Sequence, residues 1–197
     1  MLRKILMLVM IMVMTSMGAA SAAEKTYTIP DGGCSVSLPE NYLVVPVERP
    51  VAPGDELGVK VSQLSASDPA DKSLALHIMV ESSKLTQELP DLDYTPGAVM
   101  REYFTENLQN SGWLEPAVTG SMANGKIHFV KFRAYIADSA GQKYDGEIYA
   151  TVKGGKLFYL MLMSRERALK PEERELLAQA VSTLQFAEAV ASTVVEG

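Results

Sequence analysis

The sequence has few of the residues that support redox, metal or nucleic-acid chemistry. Its 197 residues include one cysteine, two histidines and one tryptophan. A single cysteine excludes a disulfide within the chain, and no pair of cysteines or histidines has the spacing of a zinc site. Asp and Glu outnumber Lys and Arg by 24 to 18, a formal charge of −6. This balance argues against nucleic acid or an anionic membrane as a partner, because both need clustered cations.

Signatures of common active sites are also missing. There is no Gly-x-Ser-x-Gly turn of the α/β-hydrolase type. Lys153-Gly154-Gly155-Lys156 lacks the spacing of a phosphate-binding loop. His77 and His128 lie in apolar, strand-like segments, where a structural histidine is the favoured interpretation. We therefore predict no catalytic residue, no cofactor and no metal site, and we expect that the protein is not an enzyme.

Two weaker alternatives remain. Cys34 could pair with another chain or serve a hydrolase together with one histidine, although a small buried residue in a strand is favoured. Asp91 and Asp93, with Glu88, could bind calcium weakly. Pro96 stands where a calcium loop needs glycine, so a solvated acidic loop is the favoured interpretation.

The N-terminus has the pattern of a secretory signal peptide. Arg3 and Lys4 precede an uncharged apolar run, and Ala20-Ser21-Ala22 fits a signal-peptidase site. The apolar run is shorter than the ~20 residues that span a bilayer, so a retained anchor is the weaker alternative. Cleavage after Ala22 or Ala23 would leave the mature chain without a stable membrane anchor.

This pattern divides the chain into three parts. We expect a signal peptide at 1–23, one folded domain at 24–187 and a flexible tail at 188–197, whose small residues carry no stop signal. The expected location is the periplasm or the exterior of the cell.

Alternating polar and apolar residues predict a domain rich in β-strands. Asn124-Gly125 and Gly154-Gly155 are typical of two-residue hairpin turns. A two-residue loop at Gly154-Gly155 would place Val152 opposite Leu157 and Thr151 opposite Phe158, with apolar residues on both faces. Strand 157–163 should therefore lie centrally and be covered on both sides. The predicted strands are 25–29, 34–38, 42–47, 57–66, 74–81, 117–123, 126–137, 147–152 and 157–163.

Two amphipathic helices are predicted. Thr95-Pro96 has the residues of a helix start, and Gly112 is suited to the stop. The second helix should begin near Pro171. The predicted buried stripes are Val99, Met100, Tyr103, Phe104 and Leu108 in the first helix, and Leu176, Leu177, Ala180, Val181 and Leu184 in the second. These elements predict an α+β fold with a single antiparallel sheet of about seven to nine strands and one helix packed on each face.

This order of elements resembles the PsbP-like α/β/α sandwich family. The residues that carry the likeness are the run from Tyr27 to Tyr42, the helix ending near Gly112-Trp113, the Asn124-Gly125 hairpin, the strand Leu157 to Leu160 and the C-terminal segment Ser182 to Phe186. The resemblance covers about residues 25–187. It implies an extracytoplasmic accessory or binding role and no active-site residues.

Two hypotheses of function follow. The first is an exported, non-enzymatic binding or accessory protein of the bacterial cell envelope, with an unknown protein or small molecule as partner. The second is an extracytoplasmic hydrolase of unknown substrate. Recognition is expected in the loops 46–56 and 82–94, because long loops on a rigid sheet often bind. Arg165-Glu166-Arg167, with Lys170, is the densest basic patch and is interpreted as a solvated segment.

Overall fold

The computed structural model describes residues 23–29, 31–49, 51–137, 140–165 and 167–187. The predicted tail at 188–197 and all but Ala23 of the predicted signal peptide lie outside this part of the chain. The strands are β1 Glu24–Ile29, β2 Cys34–Pro39, β3 Leu43–Arg49, β4 Lys60–Asp68, β5 Asp71–Ser82, β6 Leu114–Asn124, β7 Ile127–Ala137, β8 Lys143–Lys153, β9 Lys156–Ser164 and β10 Gln185–Phe186. The helices are α1 Ala98–Asn110 and α2 Pro171–Thr183.

The strands form two antiparallel sheets, so the predicted single sheet with a helix on each face is wrong. A large sheet has the order β3-β4-β5-β9-β8-β7-β6, and a small sheet has the order β1-β2-β10. The hairpin of β1 and β2 folds over one face of the large sheet instead of extending its edge. The β1–β2 hairpin would bury one of its faces in either position, across the large sheet or at its edge. The alternation of apolar and polar residues is therefore the same, and the sequence pattern could not distinguish the two positions.

Two hydrophobic cores lie on opposite faces of the large sheet. The α1-side core packs Met100, Phe104 and Leu108 of α1 against β7, β8 and β9. The α2-side core packs α2 and the small sheet against the other face, with Val36 and Leu177 fully buried. The molecule therefore has three layers, and the outer layer on the second face is built from both a helix and a sheet.

Strand β9 is central, as predicted, and contributes to both cores. Its odd-numbered residues from Leu157 to Met161 face α1, and its even-numbered residues from Phe158 to Leu162 face α2. The register is also the predicted one, with Val152 opposite Leu157 and Thr151 opposite Phe158. A strand that is apolar on both faces is stable only between two covering layers.

The turns and helix ends were predicted with small errors. The β6–β7 hairpin pairs Asn124 with Ile127, so Gly125-Lys126 forms the turn instead of Asn124-Gly125. Helix α1 is capped by Gly97 and not by Thr95, which moves its start to Ala98. As a result Val99 is exposed, while Met100, Phe104 and Leu108 are buried as expected. Helix α2 begins at Pro171 as predicted.

A buried ionic cluster anchors α2 to the large sheet. Arg174 of α2 donates to Glu147 Oε2 at 2.5 Å and to Asp145 Oδ2 at 3.2 Å. Lys131 Nζ lies 2.9 Å from Glu147 Oε1. Both carboxylates are buried, so their charges require these cationic partners. No helix among the described residues is long and apolar enough to cross a membrane.

Candidate ligand-binding cavity

Three chain segments meet at one end of the large sheet. They are the β1–β2 turn at Asp31–Gly33, the β8–β9 turn at Gly154-Gly155 and the segment around Asp91 that precedes α1. The glycine turns need a positive φ, which is +70° at Gly33 and +58° at Gly154.

The segments border a cavity of about 620 Å³ that is open to solvent on one side. Phe158 and Phe186 form its apolar wall and contact each other edge to face, with ring centroids 5.0 Å apart. Lys153, Lys156 and the glycine backbone of the turns provide the polar side. The volume lies within the range typical of small-molecule sites, about 300–1,000 Å³.

The two lysines of the cavity have different partners. Lys153 forms an ion pair with Asp91, whose other carboxylate oxygen accepts from Gly154 N at 2.6 Å. Partial burial disfavours the charged carboxylate, but these two bonds outweigh it and lower the pKa of Asp91. Lys156 Nζ instead donates to the carbonyl oxygens of Asp31 at 3.0 Å and Gly32 at 3.3 Å. Carbonyl groups carry no net charge, so the positive charge of Lys156 is not neutralised by these contacts.

A smaller cavity of about 240 Å³ adjoins the first across β10. Gly33, Phe186 and Ala187 line both cavities, and Cys34 contributes to the smaller one. The thiol is buried as predicted, and burial raises the pKa of Cys34 to about 12. It is therefore protonated at neutral pH and is a poor nucleophile.

The large sheet separates Cys34 from both histidines. Cys34 belongs to the α2-side core, whereas His77 and His128 alternate with residues of that core and so point to the α1 side. Gln63 Nε2 and Ser65 Oγ lie 2.9 and 3.0 Å from His77 Nδ1. The geometry gives no support to a Cys34–histidine pair for a hydrolase.

The calcium alternative also finds no support. Asp91 is held by Lys153 and Gly154, as described above. Within the described ranges, no three His, Cys, Asp or Glu side chains are grouped so that they could hold a metal ion.

The loop 82–94, predicted as a recognition loop, is tied to neighbouring strands. Thr86 Oγ1 donates to Gly155 O at 2.8 Å. Leu92 is fully buried, and its backbone bonds to Val152 O at 2.9 Å and to His128 N at 2.8 Å. This segment therefore supports the wall of the cavity. Of the other predicted loop, 46–56, residues up to Arg49 belong to strand β3.

Sequence reasoning missed the cavity itself. Phe158 was expected to be buried, but Phe186 was interpreted only as part of the segment that ends the second helix. In the structure Phe186 lies in the two-residue strand β10, which pairs with β2. A strand of two residues has no measurable alternation, so only the isolated aromatic residue after a helix could have drawn attention to it.

The comparisons with known proteins support the fold. No protein-family profile and no curated protein matches the sequence. The solution structure of cyanobacterial PsbP (CyanoP) from Synechocystis sp. PCC 6803 is 15% identical and superposes with a TM-score of 0.50, covering 87% of this chain and 97% of that one. A crystal structure from Bacteroides thetaiotaomicron VPI-5482 is 14% identical with a TM-score of 0.46, covering 82% of this chain and 48% of that one.

A third structure, the immunity protein TplEi of the T6SS from Pseudomonas aeruginosa, is 15% identical with a TM-score of 0.39. It covers 68% of this chain and 46% of that one. The similarity to cyanobacterial PsbP confirms the predicted resemblance at the level of fold: the chain has a PsbP-like fold.

Proposed function

We propose that the protein is an exported, non-enzymatic binding protein whose cavity holds a small amphiphilic anion. The observation that carries the proposal is the cavity of about 620 Å³ between Phe158, Phe186 and Lys156. A pocket with apolar walls and a few placed polar groups is the usual form of a ligand site.

The lining of the cavity defines the ligand class. The half-buried ring of Phe186, which packs edge to face on the buried Phe158, would contact an apolar body. Lys156 would contact an anionic head, because its ammonium group donates to two uncharged carbonyl oxygens and the nearby Asp31 carboxylate is paired with Lys60. Lys153 would contribute less, since Asp91 already compensates its charge. A carboxylate on a short hydrocarbon or aromatic body fits this arrangement.

Export is supported by the N-terminal leader and by the start of the fold. Strand β1 begins at Glu24, so removal of the leader leaves every strand and helix described here intact. Ala23 O accepts a hydrogen bond from Glu40 N at 2.8 Å. A mature chain cleaved after Ala22 would keep Ala23 and this bond, whereas cleavage after Ala23 would remove it.

Binding can be tested by titrating the purified mature protein with dansyl-labelled octanoate. We expect saturable fluorescence enhancement, which Phe186→Ala and Lys156→Gln weaken. Lys126→Gln is the matched control, because Lys126 is an exposed lysine in the β6–β7 turn. Equal binding by wild type, Phe186→Ala and Lys156→Gln would contradict the proposed site.

Export needs a separate test. Cell fractionation followed by intact-mass measurement should recover a chain that begins at Ala23 or Glu24 outside the cytoplasm. A full-length chain that stays in the cytoplasm would contradict export without affecting the binding result.

A further inference from the structure

Strand β10 leads the chain directly to the edge of the cavity of about 620 Å³. Phe186 lies opposite Cys34 of β2, and Ala187 N donates to Gly33 O at 2.7 Å. Ala187 lines the cavity and is the last residue that the structure describes. The backbone is therefore fixed beside the β1–β2 turn, and the residue that follows must leave from this point.

The ammonium group of Lys156 is held at the same turn. Its Nζ donates to the carbonyl oxygens of Asp31 at 3.0 Å and Gly32 at 3.3 Å, which directly precede Gly33 in the turn. The Asp31 carboxylate is paired with Lys60. Among the described residues, Lys156 therefore has a fixed position but no carboxylate partner of its own.

The sequence supplies an acid at the position after Ala187. This acid is Glu188, the first residue of the segment 188–197. Side chains two residues apart on an extended chain lie on the same face, roughly 7 Å from each other. In an extended continuation of β10, Glu188 would therefore share the face of Phe186, whose ring packs on Phe158 in the cavity. Lys156 borders the same cavity.

We propose that the segment 188–197 is an intramolecular competitor for the cavity, in which Glu188 pairs with Lys156. This inference rests on the proposed function, because it concerns access to the same site. Glu188 is followed by three apolar residues, 189–191, so the segment carries an anion beside apolar side chains. That is the chemistry inferred for the ligand.

The tether at Ala187 gives this competitor its advantage. Because the segment is joined to β10, its effective concentration at the cavity is on the order of millimolar. A single ion pair that is accessible to water is weak, so a ligand that contacts both Lys156 and Phe186 can displace the segment. The segment therefore raises the ligand concentration needed for binding without closing the site.

The pairing is tested by ¹³C NMR titration of the glutamate carboxyl groups in the full mature chain. A neighbouring cation favours the charged carboxylate, so Lys156→Gln should raise the pKa of Glu188 by about half a unit. The pKa of Glu196, in the same segment, should not change. Lys126→Gln is the matched control, an exposed lysine in the β6–β7 turn, and should leave both glutamates unaffected.

The competition is tested with dansyl-labelled octanoate. Glu188→Gln should bind this probe about threefold more tightly than the wild type, which is the equivalent of half a pKa unit. Glu196→Gln removes the same charge from the same segment and should bind like the wild type. Neither substitution alters a residue of a described strand or helix.

The two measurements separate this inference from the proposed function. A Glu188 pKa that does not respond to Lys156→Gln overturns the inference, and so does equal probe affinity of the wild type and Glu188→Gln. If no form of the chain binds the probe, the proposed function fails, and the carboxyl titration alone decides for or against the pairing of Glu188 with Lys156.

Discussion

Cys34 is the only thiol of the chain and faces the α2-side core from β2. Its pKa is raised to about 12 by burial, while Lys156 acts weakly in the other direction. A thiol in this state stays protonated and is shielded from reagents. Its burial also disfavours pairing with a second chain.

The first prediction concerns the reactivity of this thiol. Native protein should react with Ellman's reagent at about pH 8 at least about tenfold more slowly than protein unfolded in urea, because only opening exposes Cys34. Stopped-flow absorbance measures both rates. Rapid labelling of the native protein would mean that the smaller cavity admits reagents directly to Cys34.

The second prediction concerns His77. Burial, with a smaller effect of Arg165, lowers the pKa of His77 below 6.5. Between that lowered pKa and about 6.5 the unfolded chain binds more protons than the native one, so His77 makes stability fall as the pH drops below about 6.5. Urea unfolding at about pH 7 and about pH 5 should show a smaller loss for His77→Gln than for the wild type.

An NMR titration of the imidazole provides the direct check on His77. A native pKa at or above the usual value for histidine would contradict the sign of this argument.

Strand β8 and the segment after α1 meet at a contact that allows no side chain. A Cβ atom on Gly146 would lie 2.6 Å from Cζ3 of Trp113, which is itself buried. Gly146 thus has a packing role, and its φ does not require glycine. Trp113 itself is packed into the α1-side core.

The third prediction follows from this contact. Gly146→Ala should destabilise the protein by about 1–3 kcal/mol, because the indole or the strand must shift. Gly120→Ala is the control, since no atom lies within 4 Å of its added Cβ. Urea unfolding monitored by Trp113 fluorescence measures both variants. Equal stability of the two variants would contradict the packing role.

Elements defined by local patterns could be predicted, and those defined by distant contacts could not. The register of the β8–β9 hairpin follows from its turn and its alternation, and it was correct. Helix α1 begins later than predicted. A side-chain cap from Thr95 would stabilise the helix by only about 1 kcal/mol, and nearby packing can override this gain. Leu92 is fully buried just upstream, and Pro96 O accepts from Arg101 Nε at 3.0 Å, so the chain stays non-helical up to Gly97.

The candidate site could not be predicted from the sequence for the same reason. The cavity joins residues near positions 32, 91, 154 and 186, which are far apart in the sequence. Each hairpin was predictable alone, but its position relative to the small sheet was not.

At the scale of the whole molecule, β9 links the two cores. Phe158 and Tyr159 are adjacent in sequence but belong to opposite cores. Loss of packing on one side would therefore expose the strand on which the other side depends. This arrangement predicts that the three layers unfold together.

The fourth prediction is a single cooperative transition. Trp113 reports the α1-side core, and far-ultraviolet circular dichroism reports both sheets, so the two signals should give the same urea midpoint and slope. The mature chain should also show one calorimetric peak. Separate midpoints would mean that the layers are independently stable.

The position of β10 imposes an order on biosynthesis. The strand lies beside β2 near the start of the fold, yet it is formed by Gln185 and Phe186, after every other strand described here. The ribosome must therefore synthesise all the other described strands before the small sheet can close. For a chain that is threaded through a translocon, this order would delay closure of the small sheet until β10 has emerged.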